Sequence, residues 1–335
     1  MNILSLFDGI SCAYVALLRA GITPTFYMAS ETDKYAIQIS KKNFSNIIHV
    51  GDVRDVVGIP PSDGYDLLIG GSPCQDLSIA KHNRKGLQGE KSSLFWEYVR
   101  ILRTANPKYF ILENVASMSQ EAKQEITKTL GVEPIMINAS LVSAQQRKRL
   151  FWTNIPNVTQ PIDRGILLKD ILIDGIAERD KSLVITATYS SACPRDYFTK
   201  SSRQPVKVGH FNKGGQGDRV YSIEGKSVTL SALGGVRGAK TGLYVVPVAL
   251  RNRGNGKQPE YNNTGKANAL TTVQTDSMVE ENFIIRKLHP IECERLQGLP
   301  DNYTDGISHT QRYKCLGNAF NVDVVAHILS FIPKI

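Results

Sequence analysis

The sequence predicts an α/β protein: a mainly parallel sheet, then a smaller, mostly β segment, then a helical end. Three observations predict it. Short apolar runs alternate with amphipathic stretches over the first 155 residues. Twelve of the chain's 27 glycines fall within residues 186–270, where no helical period is sustained. Finally, "GNAFNVDVVAHILSFI" (317–332) has the apolar pattern of a helix that would return to the first domain.

The candidate strands are "NILSL", "TFYMA", "IIHV", "DLLIG", "YFILE", "PIMIN" and "RLFWT". Between them lie helical patterns such as "AYVALLRAG", stopped at Gly21, and "SSLFWEYVRILRTAN", stopped before Pro107. "HPIECERLQG" (289–298) is helical in pattern. Several strands run out into Asp8 and Gly9, Glu31, Asp52, Pro73 and Cys74, or Glu113. Ligands of open α/β sheets sit at the carboxyl ends of strands, so four carboxylates and one thiol are expected along one edge.

At 335 residues, 41% hydrophobic and 21% charged, the chain can bury a large domain and a smaller one. It has no apolar run of about 18 residues, which excludes a membrane span. "MNILSLFDG" lacks the basic start and long apolar stretch of a signal peptide and is expected to be a strand. The five cysteines are odd in number and none is at C-x-x-C spacing. That argues against a disulfide framework and against a bound metal, and for a reducing compartment.

Charge is unevenly placed. Between residues 186 and 270 thirteen Lys and Arg stand against four acids, which accounts for the whole formal net charge of +9. A balanced body with one basic segment is the footprint of a polyanion binder, the alternative being a solvated basic face. "NKGGQGDRVYSIEGKSVTL" (212–230) also matches "NRGNGKQPEYNNTGKANAL" (252–270) at an offset of 40 residues. The match reads either as two copies of one β-hairpin or as chance similarity in Gly-rich chain.

No G-x-G-x-x-G follows the first strand, and "GGVRGAKTG" (234–242) lacks the spacing and setting of a phosphate loop. A dehydrogenase or a P-loop ATPase is therefore not expected. An acid after the second strand, Glu31, could accept from both ribose hydroxyls, and one after the third, Asp52, from an adenine amine. An adenosine ligand without phosphates, S-adenosylmethionine, suits this edge. Each acid taken singly could instead be a helix N-cap.

"SPCQDLS", "ENVASM", "QQRKRLFW", "RKLHPIECERLQGLPDNYT" and "YKCLGNAFNVDVVAHIL" stand in the order found in DNA cytosine-5 methyltransferases, and "LSLFDGIS" and "SETDKYA" fit the same family's cofactor motifs. The chain resembles that family over residues 2–154 and 286–331. Its "FDGI" departs from the bacterial "FAGxGG" form and is closer to the animal de novo enzymes and their bacteriophage relatives. The resemblance implies a Rossmann-like S-adenosylmethionine-dependent methyltransferase sheet from residues 1–165 and 308–335. Residues 166–307 would form the target-recognition domain and hinge.

It also implies roles. Cys74 would add as thiolate to carbon 6 of cytosine and make carbon 5 nucleophilic. Glu113 would donate to ring N3, and Arg147 and Arg149, alternating on one strand, would hold O2. Gly70 and Gly71 would let cofactor and base approach the backbone. Phe7, Asp8, Gly9, Ile10, Glu31, Thr32, Asp52, Val53, Pro73, Leu94, Asn318 and Ala319 would form the cofactor site. A duplex base must be flipped out to reach the thiol. Ser78, Lys81, Arg84 and Lys85 would lie in a basic loop over the DNA, and Arg219, Lys226, Arg237 and Lys266 in the insert would touch it as well. The partner implied is double-stranded DNA, bound by a monomer in the cytoplasm of a bacterium or phage-infected cell, with a cognate restriction endonuclease where the enzyme is half of such a pair. Two alternatives stay open: a tRNA cytosine-5 methyltransferase, for which a shorter insert and "PPCQPFT" would be expected, and a non-catalytic DNA-binding paralogue, which would be expected to lose Cys74, Glu113 or the arginines.

Overall fold

The structure is a computed structural model that describes residues 1–57, 61, 63–72, 94–173, 180–185, 187, 189 and 288–333, together with the backbone of six short strands between 205 and 287. The chain divides into two compact units. One comprises Met1–Ile171, Asp180–Ser190 and His289–Ile335, and the other Leu172–Arg179 and Ser191–Leu288.

The first unit is built on seven strands: β1 (Asn2–Leu6), β2 (Phe26–Ser30), β3 (Ile48–His49), β4 (Leu67–Gly70), β5 (Tyr109–Val115), β6 (Ile135–Asn138) and β7 (Lys148–Thr153). Their order is β3-β2-β1-β4-β5-β7-β6. All seven predicted strands form. The sheet is parallel except at β7, which runs antiparallel to both β5 and β6. A short link from β6 to β7 permits that pairing, whereas parallel neighbours need a long crossover. The crossovers elsewhere carry α1 (Cys12–Arg19), α2 (Lys34–Asn43), α3 (Leu94–Ala105) and α4 (Gln120–Leu130).

β1 is central and apolar along its length because both faces are covered. On one face Leu4, Leu6, Leu68, Leu112 and Trp152 meet Phe95 and Tyr98 of α3 and Ile126 of α4. After the short helix α5 (Leu168–Ile171), the chain re-enters this unit with α6 (Pro290–Leu296), α7 (His309–Asn318) and α8 (Val322–Leu329). α8 packs on α1. The single helix predicted over 317–332 is therefore two. The break falls at Ala319–Asn321, where Asn321 caps α8 by accepting from Val324 N.

α6 and α7 enclose a buried ion pair. Glu294 is fully buried and accepts from Asn302 N at 2.7 Å, Thr304 N at 2.8 Å, the Thr304 hydroxyl, and Arg312 Nη2 at 2.8 Å. Oε1 takes three of these donors and Oε2 one, and together they offset much of the cost of burying the carboxylate.

Most of the two repeat copies, 212–230 and 252–270, lies outside the described residues of the second unit. β11 (Val248–Asn252) and β12 (Lys257–Tyr261) pair antiparallel, but β9 (Val220–Tyr221) pairs in parallel with β10 (Leu243–Tyr244). A parallel pair cannot be closed by a tight turn. β8 (Pro205–Lys207) pairs antiparallel with β13 (Ile285–Lys287). The packing thus draws the boundaries of this unit at Leu172 and Leu288.

Arg312→Met should lower unfolding stability by about 3–5 kcal/mol, because it strands the Glu294 carboxylate. Lys314→Ala, which breaks an exposed bridge to Asp33, should cost less than about 1 kcal/mol. Urea midpoints of the two variants check the difference.

Candidate active site

The loop after β1 turns sharply. Phe7, Gly9 and Ser11 all lie in the left-handed region, at φ 56°, 61° and 60°. That costs nothing at glycine but must be enforced at phenylalanine and serine. Glu31, just after β2, takes part from the front: its Oε2 accepts from Gly9 N at 2.8 Å, and its Oε1 from Thr32 N and Asp33 N at 2.7 and 2.8 Å. Asp52, beyond β3, caps a 3-10 turn at Val53–Asp55 and accepts three bonds from Arg54. The side-chain bonds from Arg54 hold its pKa down at about 2. Both acids are thus local caps. A carboxylate has about four lone-pair directions, so each keeps one for an outside donor.

The other predicted cofactor residues divide by burial. Asp8 is buried with its carboxyl turned inward onto Ser5, Ser11 and Tyr27, so its side chain is unavailable to a ligand. Ile10 is buried and its carbonyl accepts from the Tyr303 hydroxyl at 2.7 Å. Val53 is buried, with its carbonyl accepting from Arg100. Thr32 is exposed, and Leu94 opens α3 and leans on the core. Asn318 is exposed at the last residue of α7, while Ala319 is buried.

A second cluster lies where β5 and β7 pair. Glu113, Arg147, Arg149, Phe320 and Asn321 line one depression. Glu113 is within β5, opposite Phe151, and not at the strand end the sequence suggested, since β5 continues to Val115. Its Oε1 is 2.8 Å from Arg149 Nε, in a pair largely shielded from water. Arg147 and Arg149 do reach the same depression, but they do different things. The Arg147 guanidinium is buried and donates to the carbonyls of Ile185, Gly317 and Ala319, the last at 2.8 Å. Gly317 and Ala319 are at the C-terminal end of α7, whose carbonyls lack helical partners. Arg147 is therefore a helix clamp.

The two glycines stand in close quarters. A Cβ on Gly71 would lie 2.8 Å from Phe320 Cε1 and 3.1 Å from Glu113 Oε2, and one on Gly70 only 2.9 Å from Leu6 O. Neither position has room for a side chain beside these neighbours. Sequence reasoning missed Asn114. Its Nδ2 donates to Ser72 Oγ and carbonyl at 3.2 and 3.4 Å, so β5 grips the residue two before Cys74. The signal was available: a buried asparagine within a strand is unfavourable and needs a reason.

Pro73, Cys74, Ser78, Lys81, Arg84, Lys85, Arg219, Lys226, Arg237 and Lys266 lie outside the described residues. Cys12, Cys293 and Cys315 are buried and unbridged. Burial pushes the Cys12 thiol well up and that of Cys315 to about 12, so neither is available as a thiolate. Among the described residues no group of His, Cys, Asp and Glu could hold a metal. None of the described helices is long and apolar enough to cross a membrane.

A seven-stranded sheet with one reversed strand, an acid beyond each of two neighbouring strands, and a Glu–Arg pair near Gly71 fit a methyltransferase. Residues 1–334 match the family described as C-5 cytosine-specific DNA methylase, and the chain belongs to it. It is a DNA cytosine-5 methyltransferase. It is 30% identical to the type II methyltransferase M.HhaI of Haemophilus parahaemolyticus, over 98% of this chain and 93% of that one. It is also 26% identical to the orphan methyltransferase M.SPRI of Bacillus phage SPR, over 98% and 96%. The fold matches the solved Entamoeba histolytica methyltransferase EhMeth with a TM-score of 0.59 at 18% identity, covering 99% of this chain and 97% of that chain. The S. pombe Dnmt2 methyltransferase matches at 0.52 and 16%, covering 99% and 98%.

Arg147 and Arg149 should separate by experiment. Arg147→Lys cannot span three carbonyls, and stripping these buried acceptors of a charged donor should cost about 2–3 kcal/mol of stability. Arg149→Lys should leave the thermal midpoint nearly unchanged and reduce methyl transfer. Thermal melts and initial rates on the two variants test the assignment.

Proposed function

We propose that the protein transfers the methyl group of S-adenosylmethionine to carbon 5 of a cytosine flipped out of duplex DNA, through a covalent adduct with Cys74. The observation that carries this reading is the Glu113–Arg149 pair, with Glu113 close to Gly71 and Asn114 bonded to Ser72, the first residue of "SPCQ". When bound, the cofactor supplies an electrophilic methyl on a sulfonium.

The protein's own groups do the rest. Cys74, as thiolate, forms a bond to carbon 6 and pushes the ring electrons toward N3 and carbon 5. Glu113 takes up a proton as the base displaces Arg149 from its Oε1, and gives it to N3 where negative charge develops. Arg149 turns its donors to O2, and Arg147 keeps the wall behind it fixed. Once carbon 5 has taken the methyl, a base removes the proton on that carbon and the electrons expel Cys74 as thiolate. Gly9 and Ile10 of the β1 loop, Glu31 and Asp52 suit an adenosine ligand. Each acid keeps an acceptor direction free, and no Gly-rich phosphate motif follows β1 in the sequence.

Residues 186–270 hold the excess positive charge, and the span 166–307 around them is assigned to target recognition. Lys226 and Lys266 would contact backbone phosphate, and Arg219 and Arg237 would read bases. The enzyme would act as a monomer in the cytoplasm of a bacterial or phage-infected cell.

The test is tritiated methyl transfer to duplex DNA and to tRNA, with 5-fluorocytosine duplex as a trap. The wild type should label DNA, and it should be captured covalently by the fluorinated duplex, because fluorine does not leave as a proton does. Cys74→Ala should do neither while keeping its cofactor affinity. Labelling of tRNA alone, or turnover by Cys74→Ala, overturns the reading. DNA affinity should also fall steeply with salt, each lost phosphate contact flattening the log–log slope by about 0.9. Filter binding of Lys226→Ala and Lys266→Ala across salt concentrations checks this.

A further inference from the structure

The resemblance places Asp8 among the cofactor residues, yet its carboxyl lies beneath the loop and not on its surface. Asp8 is 3% exposed. Its Oδ1 accepts from Ser5 Oγ at 2.6 Å and the Tyr27 hydroxyl at 2.7 Å, and its Oδ2 from Ser11 Oγ at 2.5 Å. Asp8 makes no ion pair among the described residues. A buried carboxyl without a cation is expensive, and burial pushes its pKa up while the three hydroxyls pull it down.

The bonds extend further. Ser11 Oγ is 2.6 Å from Ser40 Oγ on α2, which is 3.2 Å from His49 Nε2 on β3. A hydroxyl has a single proton to give. With the Ser11 proton on the carboxylate, Ser40 must donate to Ser11, and His49 must donate to Ser40 from its Nε2–H. Asp8 thus sets the direction of every bond in a chain that crosses β1, β2, α2 and β3. Phe7, directly before it, and Ser11, three residues on and bonded to it through its hydroxyl, hold left-handed conformations, as Gly9 does between them. Those turns bring Gly9 N onto Glu31 and leave the Ile10 carbonyl on Tyr303.

We propose that Asp8 is a positioning residue: its buried carboxylate, through Ser5, Ser11 and Tyr27, locks the strained β1 loop in the form that presents Gly9, Ile10 and Glu31 to the cofactor. The proposal rests on the S-adenosylmethionine reading above and assigns Asp8 no contact with that ligand. Tyr27 becomes a cofactor-affinity residue although it is 1% exposed and sits on β2 beneath the loop.

The experiment compares Asp8→Asn and Tyr27→Phe by calorimetry with S-adenosylmethionine and by KM and kcat for methyl transfer. An amide accepts on one oxygen only and meets hydroxyl donors with its own N–H. Asp8→Asn should therefore raise the cofactor Kd and KM about tenfold, and Tyr27→Phe about threefold, with kcat at saturating cofactor little changed. The double variant should be no weaker than Asp8→Asn by more than about a factor of two, because both act through one carboxylate. Weakening by Asp8→Asn with wild-type affinity in Tyr27→Phe would mean direct contact, and it overturns the proposal. Unchanged affinity in both folded variants also overturns it. Should Asp8→Asn fail to fold, Tyr27→Phe alone decides by the same criterion. A wild type that does not bind S-adenosylmethionine sinks the cofactor reading itself, which the wild-type titration shows separately.

Discussion

The first unit depends on one guanidinium. Its chain leaves this unit after α5, rejoins it over Asp180–Ser190 and comes back again at His289, so helices α6–α8 must be fastened to strands laid down far earlier in sequence. Arg147, at the start of β7, makes that fastening by donating to Gly317 and Ala319 at the end of α7. Helix carbonyls at this end carry partial negative charge and have no partners of their own, so a buried cation there is favourable on both counts. A fork of rigid donors suits several carbonyls at once, which a lysine could not match.

Much follows from that placement. With α7 fixed, Phe320 fills the space beside Gly71 and Asn321 bonds Ser143 and the Leu296 carbonyl. These residues form the wall behind Glu113 and Arg149. The same returning segment reaches the other end of the sheet edge. Tyr303 holds the Ile10 carbonyl, Lys42 donates to the Asp305 carbonyl, and Lys314 pairs with Asp33 at the cap of α2. One segment thus braces the strained β1 loop and the Glu–Arg pair together. Group transfer needs its two reacting atoms held about 3–3.5 Å apart, and on the proposed reading a shared brace would set the separation of cofactor and base.

The sheet was legible because each strand is an apolar run bounded by turn residues, and the buried strands show it most plainly. The reversed direction of β7 was not legible. "RLFWT" reads identically in either direction, and only the short link from β6 hints at it. Glu113, Arg147 and Arg149 were legible as a set, since charged residues flanking or interrupting apolar strands need a purpose. Their division of labour was hidden, because the carbonyls that claim Arg147 are 38 to 172 positions away. Asp8 was misread for a related reason. An acid after a first strand looks like a ligand residue until Tyr27, Ser5 and Ser11 are seen to surround it. The glycines at 70 and 71 likewise leave room, but sequence cannot say for what.

Among the described residues, a set of bonds within the first unit closes it. Gln297 donates to the Leu316 carbonyl, Asn321 to Leu296, and Arg312 to Glu294, joining α6, α7 and the start of α8 to one another. Arg147, Tyr303 and Lys314 then join that group to the sheet. None of these described contacts uses a residue between 191 and 287. On the proposed reading, sequence preference is set in the insert and chemistry in the frame that these bonds close.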